Sequence, residues 1–185
     1  MQVAAVILAA GASSRLGHPK QLVRPMLDRA MAAATACSRT VIVAGAHPID
    51  RIDAEIVPND QWQRGIGTSI RAGIRAVSDC DGVLLMTCDQ PLVRREDIRR
   101  LIDARAEIAA AEYSDTLGIP AFFARSQFQT LLALADDEGA KKIILAHESL
   151  VAKVPMPHAA IDVDTPEDLA KFSSEWTTSD LATQG

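Results

Sequence analysis

Short runs of apolar residues, separated by turn-forming residues, recur along the 185-residue chain. Continuous apolar character, rather than strict alternation, is typical of strands that are buried on both faces of a mostly parallel sheet. We predict strands at Val3–Leu8, Thr40–Ala44, Gly82–Met86, Pro120–Ala124 and Leu150–Val154.

The segments between these runs have helical spacing. In Arg94–Ile108, for example, Ile98, Leu101, Ile102 and Ile108 fall on one face of a helix and the charged residues lie elsewhere. The further predicted helices are Leu27–Ala36, Thr68–Val77, Phe128–Leu134, Ala140–Ala146 and Pro166–Phe172. Strands that alternate with helices predict a layered α/β domain with a mainly parallel sheet.

The size and composition of the chain fit one globular domain. Apolar residues make up 48% and charged residues 23%, which are ordinary values. We expect a single domain over residues 1–175 and a polar tail over residues 176–185. No apolar stretch is long enough to span a bilayer, and the N-terminus leads into the first strand without a basic region or cleavage site. We therefore expect a cytoplasmic protein.

The net charge of −5 argues against a broad nucleic-acid surface, because phosphate backbones select basic patches. A few local cations can still bind a small anion. Three cysteines without paired zinc spacing form a poor disulfide framework, so we expect all three to be reduced. The four scattered histidines do not indicate a metal site.

The most informative feature is the loop that follows the first strand. It reads Leu8-Ala9-Ala10-Gly11-Ala12-Ser13-Ser14-Arg15-Leu16-Gly17-His18-Pro19-Lys20. Small residues let backbone N–H groups approach a polyphosphate closely. Arg15 and Lys20 add fixed positive charge, so the loop predicts a phosphate-binding cradle.

The spacing of this loop excludes two better-known cradles. A Walker loop has four residues between its glycines, whereas five separate Gly11 from Gly17. The dinucleotide fingerprint GxGxxG is also missing. By composition alone, a tight strand–helix turn with two solvated cations remains an alternative.

The pattern Leu-Ala-Ala-Gly-x-Ser-x-Arg-x-Gly-x-x-Lys resembles the signature of the molybdenum-cofactor nucleotidyltransferases, and most closely that of the CTP:molybdopterin cytidylyltransferases. The resemblance extends over residues 3 to about 172 and recurs through five later motifs in the same order. It implies a three-layer, Rossmann-like α/β nucleotidyltransferase domain with a mostly parallel mixed sheet. It also implies that Leu8, Ala9, Ala10, Gly11 and Lys20 bind the nucleotide.

The first of the later motifs is a glycine-rich stretch. Asn59, then Gly65-Ile66-Gly67-Thr68-Ser69-Ile70-Arg71-Ala72-Gly73, resembles the family's stretch around the base and ribose. A glycine-rich turn that enters a helix supplies backbone donors and a hydroxyl for base edges. The resemblance implies that Asn59, Gly67 and Ser69 bind the nucleotide. Alternatively, Ser69 only satisfies local N–H groups of a helix start.

Two acidic motifs indicate a metal. Asp89, in Cys88-Asp89-Gln90-Pro91, follows an apolar strand and matches the metal-binding Asp of the family's Asp-x-Pro motif. Asp162 and Asp164 are two residues apart on an extended segment, so their side chains share one side. The resemblance assigns the second metal position to Asp164, with Asp162 the weaker candidate. Hard oxygen ligands suit Mg²⁺, although a strand-end turn and a helix cap are the competing interpretations.

Two further motifs resemble the acceptor side of the family's cleft. One is the Gly-x-Pro stretch within Tyr113–Phe123, and the other is Asp136-Asp137-Glu138-Gly139-Ala140-Lys141, in which Asp136 replaces the usual first glycine. They indicate a wall of the cleft that faces a pterin or a phosphate. Alternatively, both are turns with a structural role. The chain also departs from the family by a shorter turn after Lys20 and a compact region between Ala46 and Asn59.

The implied reaction is transfer of CMP from CTP to the phosphate of molybdopterin, with release of pyrophosphate. In it Arg15, Lys20 and Asp89 are the catalytic candidates, and Asp89 and Asp164 hold Mg²⁺. Ala10 favours CTP, because Leu-Ala-Gly-Gly accompanies guanylyl transfer in this family. The expected partners are CTP, a molybdopterin-type acceptor and a client molybdoenzyme. Transfer from GTP, another phosphorylated acceptor, a non-catalytic cofactor carrier and a generic nucleotide-binding domain are the alternatives.

Overall fold

The computed structural model describes residues 1–11, 26–50, 53–163, 165, 167, 168 and 170. The strands in this part are β1 (Val3–Ala9), β2 (Arg39–Ala44), β3 (Glu55–Pro58), β4 (Gly82–Thr87), β5 (Ile108–Tyr113), β6 (Thr116–Ala124) and β7 (Ala152–Pro155). The α-helices are α1 (Met26–Ala34), α2 (Ile66–Ala76), α3 (Arg95–Asp103), α4 (Phe128–Leu132) and α5 (Ala140–Ala146). Short 3₁₀ turns lie at Trp62–Arg64, Arg125–Gln127, Glu148–Leu150 and Pro157–Ala160.

The seven strands form one mixed sheet in the order β3-β2-β1-β4-β6-β5-β7. Strands β3, β2, β1 and β4 are parallel, and β7 is parallel to β5. Within the described strands only β6 is antiparallel to its neighbours, β4 and β5. The predicted fold class, a mostly parallel mixed sheet in an α/β domain, is confirmed.

Helices cover both faces of the sheet and make three layers. On one face, α2 and α4 pack through Ile70, Ile74 and Leu131 against alternate residues of the strands. On the other face, α1 and α3 pack through Leu27 and Ile98. Because the central strands are buried on both faces, their apolar runs are continuous rather than alternating.

Strands β3 and β5 are absent from the prediction, β6 begins at Thr116 rather than at Pro120, and β7 is Ala152–Pro155 rather than Leu150–Val154. The predicted helix Arg94–Ile108 is wrong at its end, because α3 stops at Asp103 and Ile108 begins β5. Arg105 has φ 50°, a left-handed conformation that no α-helix continues through. The edge strand β3 was not predicted from its four residues.

The three cysteines are free thiols, and burial raises the pKa of Cys37 to about 12. In the described part of the chain, no helix is long and apolar enough to cross a membrane. The expected tail, residues 176–185, lies outside the described residues.

Candidate functional site

The site is built at the edge of the sheet where the parallel strands end. Leu8 of β1 is paired with Thr87 of β4. The chain that follows β1 therefore lies beside the chain that follows β4, which places Ala10 and Gly11 on the same edge as Asp89. Ligands of open α/β sheets bind at this edge.

The residues at the end of β1 differ in exposure. Leu8, Ala9 and Ala10 are buried, whereas Gly11 is exposed. The Ala10 carbonyl oxygen accepts a hydrogen bond of 3.0 Å from the Ala46 N–H. A Cβ atom on Gly45 would lie 2.8 Å from the Ala10 Cβ and 2.7 Å from the Trp62 Cβ. The Ala10 methyl group thus fills the junction between β1, the end of β2 and Trp62. The rest of the loop, including Arg15 and Lys20, lies outside the described residues.

Asn59 and Ser69 are brought together. The Asn59 Nδ2 donates to Ser69 Oγ and to Thr68 Oγ1, both at 2.9 Å, and its Oδ1 accepts from the Gln61 N–H at 3.0 Å. Asn59 is 7% exposed and Ser69 4%. The two side chains therefore join the end of β3 to the first turn of α2, and Ser69 pairs with Asn59 rather than with a local N–H group.

Gly67 is buried in the first turn of α2. Its N–H donates to the Asp136 carbonyl oxygen at 2.8 Å. The turn after α4 therefore covers one of the backbone donors that a helix N-terminus leaves unpaired.

Asp89 is half-buried two residues after β4. Its carbonyl oxygen accepts a hydrogen bond of 2.9 Å from the N–H of Val163, which is fully buried. This bond brings the segment that contains Asp162 back to the end of β4. Asp164 lies outside the described residues.

Beyond this segment, Thr165 and Asp168 form reciprocal hydrogen bonds. Thr165 Oγ1 accepts from the Asp168 N–H at 3.2 Å, and the Asp168 carboxylate accepts from the Thr165 N–H at 3.0 Å. Asp168 therefore caps the helix start.

Gln90 holds three segments of this edge together. Its Nε2 donates to the Ala159 carbonyl oxygen at 2.8 Å and to the Ile119 carbonyl oxygen at 3.1 Å. The side chain is buried. No role for Gln90 is predicted from the sequence, in which its position next to Asp89 is the one indication of a role at this edge.

Tyr113, at the end of β5, lies at the same edge of the sheet. Its hydroxyl donates a hydrogen bond to the Ile119 carbonyl oxygen at 3.1 Å. The hydroxyl end of the ring occupies the space that a Cβ atom on Gly118 would need. Burial, followed by the negative charges of Asp162 and Asp89, raises the pKa of Tyr113. Both carboxylates are therefore close enough to act on this hydroxyl, which stays protonated at neutral pH.

A cavity of about 130 Å³ lies between α2, the β5–β6 hairpin and the start of α5. It is lined by Leu8, Ile66, Ile70, Tyr113, Gly118, Ile119, Gly139, Ala140 and Lys141. Its walls are mostly apolar, and Lys141 is an exposed cation on its lining. The Gly-x-Pro stretch and the Gly139–Lys141 segment therefore meet at one cavity, next to the end of β1.

The acids at this edge suit a hard divalent cation. No group of three or more His, Cys, Asp or Glu side chains that could hold a metal occurs within the described ranges. Asp89 and Asp162 supply two carboxylates. Two such groups fit Mg²⁺, which keeps several waters and is bound through one or two carboxylates together with substrate phosphates.

The mixed seven-stranded sheet with helices on both faces is an α/β nucleotidyltransferase fold. The sequence model of the MobA-like NTP transferase domain family matches residues 5–151. The chain belongs to this family.

Similar proteins carry different names. The chain is 27% identical over 190 residues to a "probable molybdenum cofactor guanylyltransferase" of Trichormus variabilis, covering 93% of this chain and 91% of that protein. It is 32% identical over 127 residues to the nicotine blue oxidoreductase of Paenarthrobacter nicotinovorans. That match covers 60% of this chain and 62% of the relative.

Among solved structures, the chain is similar to Rv0371c of Mycobacterium tuberculosis. The TM-score is 0.80 at 29% identity, with 92% of this chain and 96% of that chain covered. Another structure of Rv0371c, a complex with manganese, matches with a TM-score of 0.74 at 27% identity and covers 92% of this chain and 97% of that chain.

Proposed function

We propose that this nucleotidyltransferase transfers CMP from CTP to the terminal phosphate of a molybdopterin-type acceptor and releases pyrophosphate. The observation that carries the proposal is the juxtaposition at one sheet edge of Ala10 and Gly11, which directly follow β1, the acids Asp89 and Asp162, and the cavity beside Tyr113. The acceptor class is supported by the full-length relative named as a molybdenum cofactor guanylyltransferase.

The choice of CTP rests on Ala10. Its methyl group fills the junction beneath Trp62, next to the exposed Gly11. A methyl group at this position reduces the space at the end of β1 and so favours the smaller pyrimidine base. The guanylyltransferase relative supports GTP as the alternative donor.

Asp89 and either Asp162 or Asp164 would hold Mg²⁺ in this reaction. Bound there, Mg²⁺ would neutralise charge on the phosphate oxygens of the nucleotide. Arg15 and Lys20 would bind the β- and γ-phosphates and the departing pyrophosphate. The manganese complex of Rv0371c supports a divalent cation in this fold.

The acceptor would lie against the cavity between α2 and the β5–β6 hairpin. Its apolar lining and the Tyr113 ring suit a planar heteroaromatic group, and Lys141 is placed to attract a phosphate. The attacking phosphate oxygen is already anionic and needs no strong general base. Tyr113, with its raised pKa, stays neutral in this scheme, and its hydroxyl proton remains donated to the Ile119 carbonyl oxygen.

The proposal is tested by measuring pyrophosphate release with Mg²⁺, molybdopterin and either CTP or GTP. We expect release with CTP that depends on molybdopterin, and slower release with GTP. Faster release with GTP would overturn the donor assignment alone. Binding of molybdopterin without release from either nucleotide would indicate a carrier, and would overturn the transferase assignment for this acceptor. A client molybdoenzyme would be identified separately, by activation of its apo form with the product.

A further inference from the structure

Helix α2 is joined to the segment after α4 by an ion pair outside the set of residues that the reaction requires. Arg71 donates to the Asp136 carboxylate through one guanidinium nitrogen and, through another, to the Leu134 carbonyl oxygen at 2.5 Å. Arg64 adds a second ion pair to Asp136, at 2.5 Å. The Arg71 side chain is only 15% exposed, so this pair is less screened by solvent than an ordinary surface pair.

The backbones on the two sides of this ion pair are also in close contact. The Gly67 N–H donates to the Asp136 carbonyl oxygen at 2.8 Å. A Cβ atom on Gly65 would overlap the Asp136 carbonyl oxygen, and one on Gly67 would overlap that of Ala135. Gly65 also has φ +132°, a conformation that side chains disfavour. Gly65 and Gly67 therefore allow the two backbone segments to approach closely, and the ion pairs from the arginines to Asp136 stabilise this approach.

This contact joins two parts of the candidate site. On one side, residues 65–69, here called the glycine turn, contain Gly67 and Ser69, which the family resemblance assigns to the nucleotide. On the other side, residues 134–139, here called the α4–α5 loop, lead into Ala140 and Lys141 on the cavity wall. A displacement of Asp136 would therefore move the glycine turn relative to the cavity.

We propose that Asp136, held by Arg71, is a positioning residue that fixes the glycine turn in the conformation that binds the nucleotide. The inference rests on the nucleotide-binding part of the proposed function, and it holds for CTP and GTP alike. In the motif that this segment resembles, a glycine stands in place of Asp136, and a glycine has no carboxylate to pair with Arg71 and Arg64.

The test compares charge removal with charge retention at one position. Asp136→Asn keeps the shape of the side chain and loses its charge, whereas Asp136→Glu keeps the charge. A matched control is Lys142→Met, which breaks the Lys142–Glu138 pair on the exposed side of the same loop. The readouts are the dissociation constants of CTP and GTP with Mg²⁺ by calorimetry, and hydrogen exchange at the Gly67 amide.

We expect Asp136→Asn to raise the dissociation constant of the nucleotide about 5-fold or more and to speed exchange at Gly67. We expect Asp136→Glu to recover most of the affinity and Lys142→Met to change neither readout. Faster exchange in Asp136→Asn with unchanged affinity would overturn the proposal, because the pair would then be structural only. Equal loss of affinity in Lys142→Met would overturn it as well.

A second variant keeps the test valid if Asp136→Asn fails to fold. Arg71→Lys retains a charge but cannot donate to Asp136 and Leu134 together in the same geometry. It should weaken nucleotide binding in the same direction, and unchanged affinity in this variant would contradict the proposal. If the wild-type protein binds neither nucleotide, the proposed function fails together with this inference. Loss confined to the variants leaves the proposed function intact.

Discussion

Val163 donates its backbone N–H to the carbonyl oxygen of Asp89 at 2.9 Å, although the two residues are far apart in the sequence. This bond returns the chain to the end of β4 and places Asp162 beside Asp89. The electrostatic effect of both carboxylates on Tyr113 agrees with this arrangement. Asp89 and Asp162, the weaker of the two candidates for the second metal position, therefore belong to one edge of the sheet, whereas Asp164 lies outside the described residues.

The first prediction concerns Asp89. We expect Asp89→Asn to lower pyrophosphate release about 100-fold or more, since the neutral amide loses most of its affinity for the cation and its charge stabilisation. The melting temperature should change little, because Asp89 is half-buried and Gln90 holds the surrounding segments. Asp115→Asn is the control, since Asp115 is an exposed acid in the β5–β6 turn with φ 56°, which Asn tolerates. Near-normal turnover of Asp89→Asn with Mg²⁺ would refute the metal assignment.

The second prediction concerns the base. We expect Ala10→Gly to lower the preference for CTP over GTP about 10-fold, because the missing methyl group opens space at the end of β1. The ratio of kcat/KM for the two nucleotides measures this effect. A preference that does not change would show that Ala10 packs against Gly45 and Trp62 without selecting the base.

The third prediction concerns the close approach at the glycine turn. Gly67→Ala places a methyl group on the Ala135 carbonyl oxygen, so we expect a loss of about 1–3 kcal/mol in the free energy of unfolding. Gly139→Ala is the matched control, because the nearest atom to its new Cβ is 3.7 Å away. That variant should stay within about 0.5 kcal/mol of the wild type. Denaturant unfolding measures both, and equal effects at the two positions would contradict the described packing.

The fourth prediction concerns pH. The hydrogen bond from Arg71, with the charges of Arg64 and Arg71, lowers the pKa of Asp136 from its usual value. A lowered pKa means that the carboxylate stabilises the fold at every pH above the unfolded-state value of about 3.9. The difference in melting temperature between wild type and Asp136→Asn should therefore be constant from pH 8 to pH 5. It should shrink as the pH falls below about 4. A difference that disappears near pH 6 would show that another group is responsible.

The sequence predicted the parts of the fold that local patterns determine. The continuous apolar runs of β1, β2 and β4 identify buried parallel strands, and each prediction is correct within one residue of its end. Strand β5 was missed because its core is Ala109-Ala110-Ala111, which has no periodicity of its own and high helix propensity. Its pairing with β6 and β7 determines its conformation.

Candidate site residues can be proposed from the sequence, but their arrangement in space cannot. The strand-end position of Asp89 and the small residues after β1 can be read directly from the sequence. The hydrogen bond between Arg71 and Asp136 joins residues 65 positions apart, and no local pattern indicates it. The same holds for the amide of Gln90, which reaches Ala159 across 69 positions.

The most direct test of the account is pyrophosphate release by the wild-type protein with CTP, Mg²⁺ and molybdopterin, measured beside the same reaction with GTP. We predict release that requires molybdopterin, stops when the cation is removed with EDTA and is faster with CTP than with GTP. Absence of release with both nucleotides, under conditions in which molybdopterin binds, would contradict it.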